Sequence, residues 1–284
     1  MVVMGVPSPL ACGRRHSLVA LADGSVTAAG DGAAGECGVA GWRDVVAVAA
    51  GNVHAARSTG RSHSLGLRAD GTVLATGWDA DGQCRVGRWR DVVAVAAGWR
   101  RSVGLLPDGR VVAVGRTAEL ACEVSPWREV VAVAAGDWHT VGVRADGTAL
   151  ATGVDRFGQC RVEQWRGLVD VAAGYLHTLG LRGDGTVVPA GRGDAGACDV
   201  LGWRDVVAVA AGSHHSVALT ADGHVLAAGA DERGQCGVEA WEGVVHVAAG
   251  AAHTLGLRAD GTVLATGDDA DGQCAVAHRR GRRR

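Results

Sequence analysis

The sequence predicts an all-β fold, a seven-bladed β-propeller closed into a ring. Three observations carry that prediction. Cysteines at 84, 122, 160, 198, 236 and 274 recur every 38 residues, and Trp89, Trp127, Trp165, Trp203 and Trp241 keep the same step. Each copy holds three short apolar runs separated by turn signals, and no stretch carries a helical apolar period. Seven copies are visible, and the last is followed by a surplus QCxV segment, Gln273 to Val276, that has no counterpart before the first.

One clean copy runs WREVVAVAAGDWHTVGVRADGTALATGVDRFGQCRVEQ, from Trp127 to Gln164. VVAVAAG is rich in β-branched and small residues and reads as a first strand, A. HTVGVRA alternates and reads as strand B. The Asp-Gly that follows is a hairpin signal, because glycine accepts positive φ without steric cost. TALATG is strand C, and QCRV is a candidate short fourth strand, D. Alanine and glycine leave little side-chain volume, which suits sheets packed closely face to face. Such sheets close into a propeller or continue as an open solenoid. The surplus Gln273–Val276 strand fits the gap in the first blade and predicts a ring closed by its C-terminal strand.

The copies run over about 6–41, 42–88, 89–126, 127–164, 165–202, 203–240 and 241–276, within one domain at 1–278. Trp42 lies 47 residues before Trp89, so nine extra residues enlarge the AB turn of the second copy into NVHAARSTGRS, Asn52 to Ser62. Residues 279–284 form an arginine tail with Arg279, Arg280, Arg282, Arg283 and Arg284.

Composition narrows the function classes. Net charge is −2, and all basic charge is arginine. Without the tail, 23 basic residues face 30 acidic ones, a balance that argues against a broad nucleic-acid footprint on the folded body. No apolar run has the length of a membrane span. The start, MVVMGVPSPLACGRR, lacks the charged and apolar regions of an export signal. Cysteines on successive copies of one unit should not meet, so they are expected as reduced thiols in the cytoplasm, with Cys12 off the pattern.

The pattern VVAVAAGxxHSLGLRADGTVLATGxDxDGQC resembles the regulator-of-chromosome-condensation repeat, in the short form found in bacterial propellers. In repeat length it is similar to the seven-bladed β-lactamase inhibitor proteins. The resemblance covers about residues 6–276. The family usually places Trp before the glycine that ends strand C. Here Thr76, Val114, Thr152, Ala190, Ala228 and Thr266 stand there, and Trp heads strand A instead. The resemblance implies a propeller that acts chiefly through protein–protein contacts, with guanine-nucleotide exchange on a small GTPase known in the family.

Residues that repeat are read as scaffold. His16, His63, His139, His177, His215 and His253 share one position, which Arg101 takes in the third copy. Zinc needs its ligands about 2.0–2.3 Å from one ion, and equivalent positions on separate blades do not converge. These histidines are therefore expected to bond backbone. Cys37, Cys84, Cys122, Cys160, Cys198, Cys236 and Cys274 are expected to act as small buried hydrophobes. The His-Ser and His-Thr dipeptides put their side chains on opposite faces of a strand and form no nucleophile–base pair. GDGAAG (Gly30–Gly35) and GRGDAG (Gly191–Gly196) match a phosphate-binding pattern, but no helix follows either. DADG at 79–82 lacks the distal glutamate of a calcium loop. No metal, cofactor or catalytic set is expected.

Residues that differ between copies are the place to look for function. Strand direction puts the variable letters of AAGxxH and the start of the link after strand C on one face. Trp78, Trp99, Trp138, Phe157 and Tyr175, every aromatic outside the repeated Trp, fall on that face in copies two to five. Arg57, Arg61, Arg100, Arg116 and Arg156 share the sector. Aromatics with arginine are the composition of interface hot spots. The expectation is an exposed patch on a monomeric, non-catalytic module that binds a protein partner. The alternatives are a nucleic-acid or chromatin-associated protein using the arginine tail, a GTPase regulator, and a β-lactamase inhibitor.

Overall fold

A computed structural model describes residues 8–51 and 61–276. Among them the chain forms seven antiparallel three-stranded sheets, each in the order A–B–C. Blade 1 holds β1 (Leu10–Cys12), β2 (His16–Ala20) and β3 (Val26–Gly30); blade 2 holds β4 (Val45–Ala50), β5 (His63–Arg68) and β6 (Val73–Gly77). Blade 3 holds β7 (Ala94–Gly98), β8 (Arg101–Leu105) and β9 (Val111–Gly115); blade 4 holds β10 (Val130–Ala135), β11 (His139–Arg144) and β12 (Ala149–Gly153). Blade 5 holds β13 (Leu168–Ala173), β14 (His177–Arg182) and β15 (Val187–Gly191); blade 6 holds β16 (Val206–Ala211), β17 (His215–Thr220) and β18 (Val225–Gly229). Blade 7 holds β19 (Val244–Ala249), β20 (His253–Arg258) and β21 (Val263–Gly267).

The Asp-Gly hairpins form as their chemistry requires. In blade 4, Asp146 Oδ1 accepts from the Thr148 N–H at 2.9 Å and the Thr148 hydroxyl at 2.6 Å, while Gly147 takes φ 77°. A strands of neighbouring blades pack on one another, β10 against β7 and β13, whereas C strands pack chiefly on their own B strand. The A strands therefore line the centre of the ring and the C strands its rim.

The apolar core lies in the joints between blades. In the blade 4–blade 5 joint, Val141 and Val143 meet Val162, Trp165, Leu168 and Val171. The repeated Trp lies over the fourth residue of strand B in its own blade, a glycine in five copies. A Cβ added to Gly66, Gly104, Gly142, Gly180 or Gly256 would stand 2.6–3.0 Å from the ring of Trp42, Trp89, Trp127, Trp165 or Trp241. None of these glycines has a left-handed φ, so each is there for space.

Two expectations need correction. The QCxV segment is a turn, not a strand, in every copy, and Gln273–Val276 adds no strand to blade 1. Local side chains take the amides a ladder would need. Asp79, Asp155, Asp231 and Asp269 accept from the amides of Cys84, Cys160, Cys236 and Cys274 at 2.7–2.8 Å. Gln83, Gln159 and Gln273 accept from Asp81, Phe157 and Asp271 at 3.0–3.1 Å. The valine of QCxV then plugs the joint. Val276 packs with Leu10, Cys12 and Val19 of blade 1 and Leu255 of blade 7. The ring does close, through the ordinary joint: Ala251 N donates to Gly13 O at 3.2 Å, and Ser17 bonds His253 at 2.9 Å.

Candidate interaction face

The first residue after strand C returns to the AB turn of its own blade. The amides of Trp78, Arg116, Val154 and Arg192 donate to the carbonyls of Ser62, Arg100, Trp138 and Leu176, each at 2.9 Å. AB turns and CD links thus share one end of the ring.

Beneath that face runs a belt of buried hydrogen bonds from blade to blade. His16 bonds Ser64, His63 bonds Ser102, His139 bonds Thr178, His177 bonds Ser216, His215 bonds Thr254 and His253 bonds Ser17, at 2.7–3.0 Å. The partner is a hydroxyl of the next blade, not the backbone that the sequence suggested. Outside the closing joint, each hydroxyl in turn donates to a carbonyl, as Thr178 does to Gln159 at 2.7 Å. The imidazole Nε2 must therefore carry the proton and donate. Burial holds His139, His215 and His253 at about 3, and His16, His63 and His177 at about 4, so all six are neutral. Sealed from solvent, these pairs have no route to a substrate.

Arg101 completes the belt in blade 3. Its Nε donates to Thr140 at 3.0 Å, and its guanidinium also donates to the carbonyls of Gly136, Asp137 and His139. Burial lowers it to about 10, so it stays charged at neutral pH. A longer side chain in the histidine position thereby pins the AB turn that carries Trp138.

The structure brings most of the expected site together. Arg100, at φ 60°, lays its guanidinium 4.4 Å from the Trp78 ring and 4.4 Å from the Trp99 ring. Trp99 meets Trp138 with ring centroids 4.5 Å apart, and Arg116 lies 5.6 Å from Trp99. Arg116 is held by Glu119 at 2.7 and 2.8 Å, and Arg100 approaches Asp81 at 3.5 Å. Trp99 departs from the expected exposed patch. It is only 8% exposed, because Arg100 and Trp138 cover it, while Trp78 and Trp138 stay half-buried.

Two smaller clusters stand beside this stack. Phe157, at 46% exposed, has the Arg192 guanidinium 5.1 Å from its ring, and Arg192 is paired with Asp194. Tyr175 meets His214 edge-on at 5.3 Å. Arg61 and Arg156 are exposed. Arg57 and the tail arginines lie outside the described residues. Arg192, His214, Glu119 and Asp81 were not among the expected residues. All four occupy positions that vary between copies, the same signal in the sequence that marks the aromatics. The repeated cysteines are half-buried free thiols at the foot of the links, Cys122 donating to the Arg116 carbonyl at 3.2 Å. Burial raises their pKa, so they hold their protons.

Seven like blades joined by one belt define a repeat propeller with its variable residues gathered at one end. The family model for the Regulator of chromosome condensation (RCC1) repeat matches residues 58–83, 130–159, 206–235 and 244–273. Solved structures agree on the fold. Prp20p of Saccharomyces cerevisiae, described with its binding properties to Gsp1p and histones, is 20% identical at a TM-score of 0.67, covering 85% of this chain and 80% of Prp20p. The ectodomain of the Arabidopsis thaliana receptor kinase ACR4 is 16% identical at a TM-score of 0.71, covering 92% of this chain and 97% of its own. A search of the curated proteins finds no match.

Proposed function

We propose that the chain is a non-catalytic module that docks a protein partner on the face made by AB turns and CD links. The observation that carries this reading is the stack of Trp78, Arg100, Trp99 and Trp138. Four non-repeat residues from three blades converge on a scaffold whose other blades do without them. Trp78 and Trp138 present half-buried rings that a partner can cover fully, and such rings anchor interfaces. Phe157 and Arg192 extend the surface toward blade 5. Prp20p's described binding to proteins supports the same class of function.

Unpaired thiols fit a reducing compartment, and the proposal includes a cytoplasmic site of action for a monomer. No helix among the described residues is long and apolar enough to cross a membrane. The test is affinity capture from a lysate of the source cell, with wild type beside Trp138→Ala and Trp78→Ala. The expected result is a stoichiometric protein band lost from both variants while their melting temperatures stay within a few degrees. Equal capture by all three proteins would overturn the assignment of the face.

A further inference from the structure

At the opposite end of the ring the A strands begin, and there the repeat breaks in a second way. The third position of the repeated VVAVAAG segment is Ala47, Ala94, Ala132 and Ala208 in four copies, but Asp170 in blade 5 and His246 in blade 7. Both line a cavity of about 810 Å³ at the end away from the AB turns. Its walls are largely apolar, with Val169, Val207 and Val245 from three blades, and Val207 is 53% exposed to it and to solvent. The volume is that of a small-molecule site.

Asp170 has no structural reason to be charged. One carboxylate oxygen accepts from the Val171 amide at 2.8 Å, and no cation lies within ion-pair distance among the described residues. Leu181, Val206 and Val209 stand beside it in the cavity wall. The fold manages with alanine at this position in four other blades. A carboxylate kept without a counter-charge against apolar walls is costly unless something pairs with it. A divalent metal would want several ligands held together, and among the described residues no group of three or more His, Cys, Asp or Glu is placed to hold one.

We propose that this cavity is a binding site for an amphiphilic organic cation, whose ammonium pairs with Asp170 and whose apolar body lies on Val169, Val207 and Val245. The charged or titratable groups facing Asp170 are Arg182 on its own blade, Asp222 on the blade 6 hairpin and His246 on blade 7. Burial pushes Asp170 up to about 6, so the site is ionised at pH 7.5 and mostly neutral at pH 5.

Isothermal titration of the full chain with hexylamine, hexan-1-ol and hexanoate tests this. Hexylamine is expected to bind at least tenfold more tightly than hexan-1-ol, and hexanoate not at all. Asp170→Asn should lose about tenfold for hexylamine, while Asp222→Asn, at the exposed rim, should change it less than twofold. Affinity for hexylamine should fall about tenfold from pH 7.5 to pH 5. That fall should persist in His246→Gln, which removes the imidazole that lines the same cavity. Equal hexylamine binding by wild type and Asp170→Asn, equal binding of hexanoate, or no hexylamine binding at millimolar concentration would each overturn the proposal.

Discussion

Replacing Gly256 by alanine tests how the joints are built. The new Cβ would stand 2.7 and 2.8 Å from two ring atoms of Trp241, against 3.4–4 Å for ordinary contact, so the ring must move by more than half an ångström. Overpacking of that size costs about 1–3 kcal/mol. Removing a flexible glycine from a strand returns about 0.5–1 kcal/mol, which leaves a net loss of about 1–2 kcal/mol. Trp241→Ala removes a ring that buries about 200 Å², worth about 5 kcal/mol by area and about 3–5 kcal/mol by analogy with other core truncations. In the double variant the clash is gone and the alanine methyl enters vacated space. Gly256→Ala should then stabilise by about 0.5–1 kcal/mol, so the coupling between the two sites should be about 1.5–3 kcal/mol. Urea unfolding followed by circular dichroism, on wild type, both single variants and the double, measures it. The pairing of ring and glycine is refuted if Gly256→Ala is neutral in the wild-type background or if the coupling is below about 0.5 kcal/mol. The chain itself contains related substitutions. Copy one has no Trp, and there Val19 fills the glycine position, fully buried in the closing joint. In blade 6 the position is Ala218, beside a Trp203 that stays partly exposed.

Trp127→Ala should cost about 3–5 kcal/mol because its ring is buried in the blade 3–blade 4 joint. Trp138→Ala should cost less than half as much while weakening partner capture, and equal losses in urea unfolding would place Trp138 in the core. The belt histidines are depressed from 6.5 to about 3–4, so their contribution is complete above pH 6.5 and is lost as pH falls toward 4. The melting temperature should therefore drop steeply across that window, and a flat profile from pH 7 to pH 4.5 would contradict a neutral belt. Asp170 has the opposite sign: raised from 3.8 to about 6, it favours the fold below pH 3.8 and costs stability as pH rises through 6. Two units correspond to at most about 3 kcal/mol, less because the cavity is open to water, so Asp170→Ala should stabilise by about 1–3 kcal/mol at pH 8 and not at pH 4. Identical melting temperatures of the two proteins at pH 8 would refute this. Thiol titration in denaturant without prior reductant should count eight free cysteines, and any stoichiometric disulfide would contradict the free thiols of the fold.

Period and hairpin chemistry made the blades legible, because a 38-residue step and Asp-Gly turns act locally and identically in each copy. What escaped reading depends on partners in the next blade. The hydroxyl that receives the histidine is 39 residues away in four joints, 48 in the joint of the enlarged blade 2 and 236 in the closing joint, and only the closed ring brings the pairs together. The segment QCxV alternates like a strand, but in blade 2 the Cys84 amide donates to Asp79 and the Arg85 and Val86 amides donate to the carbonyls of Gly82 and Cys84, all within five residues, so these amides are not left for a ladder. The face aromatics were found from sequence by strand direction alone. Their burial was not, since Trp99 is covered by Arg100, whose left-handed backbone turns its side chain back between two rings.

In a repeat scaffold each departure from the pattern can be asked what the fold receives for it. Val19 fills space that a missing Trp would have occupied, and Arg101 replaces a histidine while adding three carbonyl contacts across the joint. Both departures are compensated inside the molecule. Trp78 and Trp138 are compensated only in part, since their rings remain half in water on either side of the stack. Asp170 gains a single amide contact for a carboxylate set among valines and leucine. The uncompensated remainder therefore lies at two places on opposite ends of the ring, the stack on blades 2–4 and the cavity on blades 5–7. A partner on the stack and a small cation below would bear on neighbouring blades, blade 4 (β10–β12), which carries Trp138, and blade 5 (β13–β15), which carries Asp170. Because those blades share one joint, through Val143, Trp165 and Leu168, the two sites can be compared directly: hexylamine should leave partner capture unchanged if the joint is rigid, and alter it if the joint yields.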